Sequence, residues 1–94
     1  MYTLIAHHRV KDFQVWRQAA AEGIEREKRT GERGILEAEF YQSIDGETAI
    51  FLLTFRDLKS AQAHQARLNA EESKRNLERI GVIFPVTVLI AEAR

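Results

Sequence analysis

The chain has no cysteine, one proline and one methionine in 94 residues. Without cysteine no disulfide can brace the fold, and no thiolate can act as nucleophile or metal ligand. That fits a reducing cytoplasm, which is the expected location. An excess of one charge is also missing: 14 basic and 14 acidic residues leave a formal net charge of zero. A nucleic-acid binder needs surplus Lys and Arg to neutralise phosphates, so no nucleic-acid partner is expected. Apolar runs stay far below the ~20 residues of a membrane-spanning helix. Met1 runs straight into YTLIA without a basic n-region or cleavage site. Neither a membrane role nor a secretory signal is expected. There is no GxGxxG, GxSxG or Walker-type loop, since the glycines are scattered as turn and cap residues. The three histidines show no HxH or HxxxH spacing and no nearby carboxylate motif, so no metal is expected.

The balance of 45% hydrophobic and 30% charged residues is that of a globular chain. A chain of this length forms one domain, residues 1-94, and buries roughly 60–70% of its unfolded surface. YTLIAHHRV, residues 2 to 10, reads as a strand. Alternation then puts Leu4, Ala6 and His8 on one face and Ile5 and His7 on the other. Asp12 is placed to cap a helix whose apolar stripe is Phe13, Trp16, Ala20 and Ile24, with Gly31 as its stop. A hairpin follows. Its first strand carries Ile35, Glu37, Glu39 and Tyr41 on one face, and Leu36, Ala38, Phe40 and Gln42 on the other. Asp45-Gly46 suits a tight turn. The second strand, Ala49 to Phe55, is apolar on both faces, the pattern of a strand covered on both sides.

Asp57 caps a second helix with Leu58, Ala61, Gln65 and Leu68 on its stripe. Asn69 and Glu72 resemble a capping box, which predicts a break and restart. Leu77 and Ile80 anchor the second piece, Gly81 ends it, and Pro85 leads into a last strand, Val86 to Ala91. The order strand, helix, strand, strand, helix, strand predicts an α+β, ferredoxin-like βαββαβ fold: a four-stranded antiparallel sheet with its helices on one face. The other face would then expose apolar surface on the order of several hundred Å2, more than monomers usually tolerate. A two-fold homodimer, sheet against sheet, is the expected solution.

The opening YTLIAHHRVKDFQVWRQ, the alternating hairpin and the closing GVIFPVTVL resemble the dimeric α+β-barrel superfamily. The likeness is greatest to its small cyclase-like and antibiotic-biosynthesis-monooxygenase-like proteins. The resemblance implies a homodimer whose two sheets form a barrel, with a pocket between each sheet and its helices. It also implies a cofactor-independent monooxygenase- or cyclase-like enzyme acting on an aromatic or polyketide-like molecule. A non-catalytic dimeric module that binds a small hydrophobic ligand, or none, is the alternative. No asparagine lies on the first strand and the only tryptophan is on the first helix, so haem degradation is not implied and no cofactor is expected.

Each candidate residue has two readings. His8 and His64 are the candidate bases, because imidazole exchanges protons near neutral pH. His7 and His8 point to opposite faces, so one belongs to a helix-side pocket and the other to the interface or solvent. A satisfied strand-end histidine is the plain alternative for either. His64, in AQAHQA, has small neighbours that leave room for a ligand, or it is an exposed helix histidine. Trp16 is a wall for an aromatic ligand or a core residue. Tyr41 is a hydrogen-bond partner for a phenolic ligand or a dimer or edge residue. His7 and Tyr41 join Trp16 as expected ligand-binding residues, and Glu37 and Glu39 are expected to be solvated edge charges.

Overall fold

Two aspartates start the long helices. Asp12 is extended at φ −145° and accepts a hydrogen bond from Val15 N–H, and Asp57 does the same for Ser60 N–H. Each satisfies one donor that a helix start would leave unpaired. The computed structural model describes residues 1–94 as β1 (Tyr2–Val10), α1 (Phe13–Thr30), β2 (Ile35–Gln42), β3 (Thr48–Phe55), α2 (Leu58–Leu68), α3 (Glu71–Arg79) and β4 (Val82–Glu92). Gly31 closes α1 in the left-handed region at φ +71°, where glycine pays no Cβ penalty. No helix is long and apolar enough to cross a membrane.

The sheet is antiparallel in the order β2-β3-β1-β4. This is the α+β, ferredoxin-like arrangement expected from the element order, with the second helix broken in two. Register places residues in rows across the strands. On the helix side the rows are Ala38–Leu53–Leu4–Ile90 and Phe40–Phe51–Ala6–Val88. Leu4, Ala6, Ala49, Leu53 and Phe55 are fully buried there. A large apolar side chain buried this way stabilises the fold by roughly 1.5–3 kcal/mol. On the opposite side the rows are Glu39–Leu52–Ile5–Leu89 and Tyr41–Ile50–His7–Thr87. No helix covers them.

Four local expectations change. Ile35 does not share a face with Glu37 and Glu39. The pairing of β2 with β3 shifts between Ile35 and Glu37, and this extra residue lets Ile35 turn inward while Leu36 is exposed. The hairpin is not closed by Asp45-Gly46 alone: Gln42 pairs with Ala49, Ser43 N–H still donates to the Thr48 carbonyl, and Gly46 N–H turns back onto the Ser43 carbonyl, so the loop runs from Ile44 to Glu47. Asp45 accepts from Ser43 Oγ and Glu47 N–H, and Gly46 at φ +82° completes the loop. The helix breaks where expected, but the residue that caps α3 is Ala70, which has no side-chain acceptor, so Asn69 and Glu72 form no capping box. Finally, β4 begins at Val82 and runs through Pro85. It is an edge strand, where a residue without an N–H is tolerated.

Gly34 fixes how closely α2 approaches the start of β2. It sits at φ +73°, and a Cβ there would lie 2.6 Å from Ser60 Oγ and 2.8 Å from Ser60 Cβ. Gly31 has a similar φ of +71° but open space around it. Gly31→Ala should therefore cost about 1–2 kcal/mol from backbone strain alone. Gly34→Ala should cost about 1–3 kcal/mol more through overpacking, and Ser60→Gly should recover part of that excess. Urea unfolding of the two variants and the double variant measures the difference.

Candidate functional site

Between α1, the α2–α3 break and the helix side of the sheet lies a cavity of about 160 Å3. Trp16 builds it. The indole, 1% exposed, stands edge-on to His8 at 5.2 Å and to Phe40 at 5.9 Å, and is tilted against Phe13 and Phe51 at 5.7 and 6.0 Å. Edge-on contacts of this kind suit the aromatic quadrupole. One turn further along the stripe, Ala20, Gly23 and Ile24 replace large side chains with small or slender ones, and the space opens there. Trp16 is thus both core and wall.

Apart from that indole, the polar side chains on the wall are His8, His64 and Glu27. His8, 4% exposed, reaches the cavity from β1. Its Nδ1 lies 3.1 Å from the Arg9 carbonyl oxygen. A carbonyl can only accept, so Nδ1 carries the proton and Nε2 keeps a free lone pair. Burial lowers the His8 pKa, although the Arg9 carbonyl bond works the other way, and the nearby His7 adds to the lowering. The ring is therefore neutral at physiological pH and able to accept a proton.

His64, 7% exposed, comes from α2 and packs against Phe55 at 5.6 Å. Its tautomer is the opposite one. Arg67 donates to His64 Nδ1 at 3.1 Å. A guanidinium has no acceptor, so Nδ1 is bare and the proton sits on Nε2. Burial, then the Arg67 charge, then the Arg33 charge lower its pKa to about 4. Glu27 Oε2 lies 3.9 Å from the same Nδ1. The two form no ion pair at neutral pH, because the ring is uncharged and Nδ1 is already occupied by Arg67.

The cavity thus brings together His8, His64 and Trp16 of the residues singled out in the sequence. His7 and Tyr41 stand on the uncovered face, in one row with Ile50 and Thr87. Tyr41, 48% exposed, donates to Glu39 Oε2, and this bond raises its pKa. Glu27 was not singled out. Its signal was available: it extends the spacing Phe13, Trp16, Ala20, Ile24 by three more residues, putting a carboxylate on an apolar stripe.

The lowered pKa of His64 has a stability consequence. A histidine whose pKa falls from its ordinary ~6.5 on folding binds fewer protons folded than unfolded between the two values. Its stabilising contribution is complete above about pH 6.5 and is lost as pH falls to about 4. The loss should approach about 3 kcal/mol. Urea unfolding across that range should show the slope for the wild type and a flatter profile for His64→Leu, with the residual slope of the same sign from His8.

No protein-family model matches the sequence, and no curated protein sequence matches it. Solved structures do match. A conserved protein from Methanosarcina mazei Go1 superposes with a TM-score of 0.68 at 17% identity, over 99% of this chain and 92% of that one. The ActVA-Orf6 monooxygenase of Streptomyces coelicolor, in complex with the ligand nanaomycin D, superposes at 0.66 with 16% identity, over 99% and 87% of the two chains. A dimeric ferredoxin-like protein from an uncultured marine organism superposes at 0.65 with 8% identity, over 99% and 94%. The fold is therefore the ferredoxin-like α+β fold that these solved structures share.

Proposed function

We propose that the protein is a homodimer that binds a small aromatic molecule in the Trp16 cavity and oxidises it with dioxygen, without a cofactor. The observation that carries this reading is His8, neutral and with its Nε2 lone pair unclaimed, on the wall of the cavity that Trp16, Phe40 and Phe51 also line. His8 takes the proton of a phenol or enol O–H, and the electron-rich anion then reacts directly with oxygen. For a simple phenol the balance closes without a reductant: phenol and dioxygen give quinone and water. His64 has its proton on Nε2 and serves as a donor to the oxygen-bearing side of the substrate. The monooxygenase activity and bound ligand of the Streptomyces neighbour support this choice of chemistry.

Volume narrows the substrate. A cavity of ~150 Å3 holds a single benzene ring, and this one is about 160 Å3. One aromatic ring fits, whereas a fused polyketide-like molecule would have to extend out through its open side.

The dimer reading rests on the uncovered sheet face. Leu52, Ile5 and Leu89 form one apolar row across three strands, and Leu89 is 48% exposed. A second sheet laid on this row removes it from water and joins the two sheets into a barrel. His7 and Tyr41 then belong to the interface and not to the ligand.

Two measurements test these readings. Light scattering at micromolar concentration should give twice the 10.8 kDa chain mass, falling to the single-chain mass for Leu89→Glu. A monomeric wild type would overturn the dimer. In the second, 4-methylphenol should bind at least about tenfold more tightly than 1,4-dimethylbenzene, and phenols should drive oxygen uptake. His8→Phe should abolish both the preference and the uptake. Binding of a phenol without oxygen uptake would leave a ligand-binding module and remove the enzyme.

A further inference from the structure

Glu27 Oε2 is buried and has no hydrogen-bond partner in the chain. That is costly, because a buried acceptor left unpaired loses its solvation with nothing in exchange. The chain has a nearby cation that could relieve it, yet Arg67 donates to His64 Nδ1 instead. The remaining neighbour, Nδ1 of His64 at 3.9 Å, is itself an acceptor. Oε2 therefore faces no donor from the protein, while its residue lines the same cavity as His8 and Trp16. Unsatisfied buried groups of this kind call for a specific explanation.

We infer that Glu27 is a specificity-determining residue of the cavity: its Oε2 accepts a hydrogen bond from a second hydroxyl or amino group on the ring whose first hydroxyl is bound by His8. The inference rests on the proposal that the cavity holds an aromatic ligand. It adds that the ligand carries two donors. A carboxylate oxygen that already lacks a donor gains nothing from another acceptor, so the site disfavours a ligand that offers only an acceptor there. A carboxylate or ether oxygen in that position would meet Oε2 lone pair to lone pair. A methyl group would offer Oε2 no donor. The same geometry accounts for the polar residues on this wall: His64 is tied to Arg67, His8 is tied through Nδ1 to Arg9, and Glu27 alone has no anchor at Oε2.

Matched ligands isolate the effect. Each dihydroxybenzene isomer is compared with the corresponding methylphenol by anaerobic calorimetric titration, so that one donor is exchanged for a methyl of similar size. For the isomer that fits, the wild type should prefer the second hydroxyl at least about tenfold, the usual range for a hydrogen bond to a charged group. Glu27→Leu should remove that preference while retaining 4-methylphenol binding through His8, and Glu27→Gln, which keeps an acceptor oxygen, should retain part of it. Equal binding of all matched pairs by the wild type, or an unchanged preference in Glu27→Leu, overturns the role of Glu27 and leaves the cavity reading intact. Failure of the wild type to bind any methylphenol overturns both. Circular dichroism and urea unfolding of Glu27→Leu verify that the variant is folded; it should be at least as stable as the wild type, since an unpaired buried acceptor has been removed.

Discussion

The contact between the Trp16 indole and the floor of the sheet sets the separation of helix and strands. The ring rests where the row Phe40–Phe51 meets His8, and it is too large to let α1 settle onto the strands along its whole length. The same stripe then turns to alanine and glycine. A wide residue followed by narrow ones leaves a gap, and the surrounding side chains do not fill it. The cavity is thus a packing consequence of residue order on one helix face. Its chemistry follows from position: the histidine of β1 and that of α2 reach the gap because each occupies an inward place on its own element.

Burial and hydrogen bonding then give the two histidines different protonated nitrogens. A carbonyl fixes one proton on Nδ1, and a guanidinium keeps Nδ1 of the other bare. Both rings are held neutral by desolvation before any charge effect is counted. One cavity therefore offers a nitrogen acceptor, a nitrogen donor and a carboxylate oxygen. The protein needs no triad for this, since the backbone of Arg9 and the side chain of Arg67 do the orienting.

Much of the fold was legible because alternation and stripes are dictated by which face is buried. Leu4, Ala6 and His8 alternate inward as read, as do Ala49, Phe51, Leu53 and Phe55. Both aspartate caps form. The misread points are places where local rules compete. Ile35 follows the core instead of strict alternation because a bulge costs less than exposing it, and the hairpin loop lengthens because Ser43 and Asp45 satisfy its backbone groups. The site was half legible. Two histidines and a tryptophan stood out by type. Glu27 did not, since it sits within EREKRTGER and reads as one charge among many. His7 and Tyr41 stood out equally by type, and only the sheet face separates them from the cavity.

Helix α3 lacks a side-chain cap and contributes no buried residue, whereas α1 buries Trp16. Yet Leu77 and Ile80, at its C-terminal end, form part of the cavity wall. Opening free energies follow the apolar surface that an element keeps from water. The cavity is therefore bounded by walls of unequal strength: α3 keeps less apolar surface from water than the sheet and α1 do. The part of the wall that depends least on the core of the sheet is thus the part supplied by the end of α3.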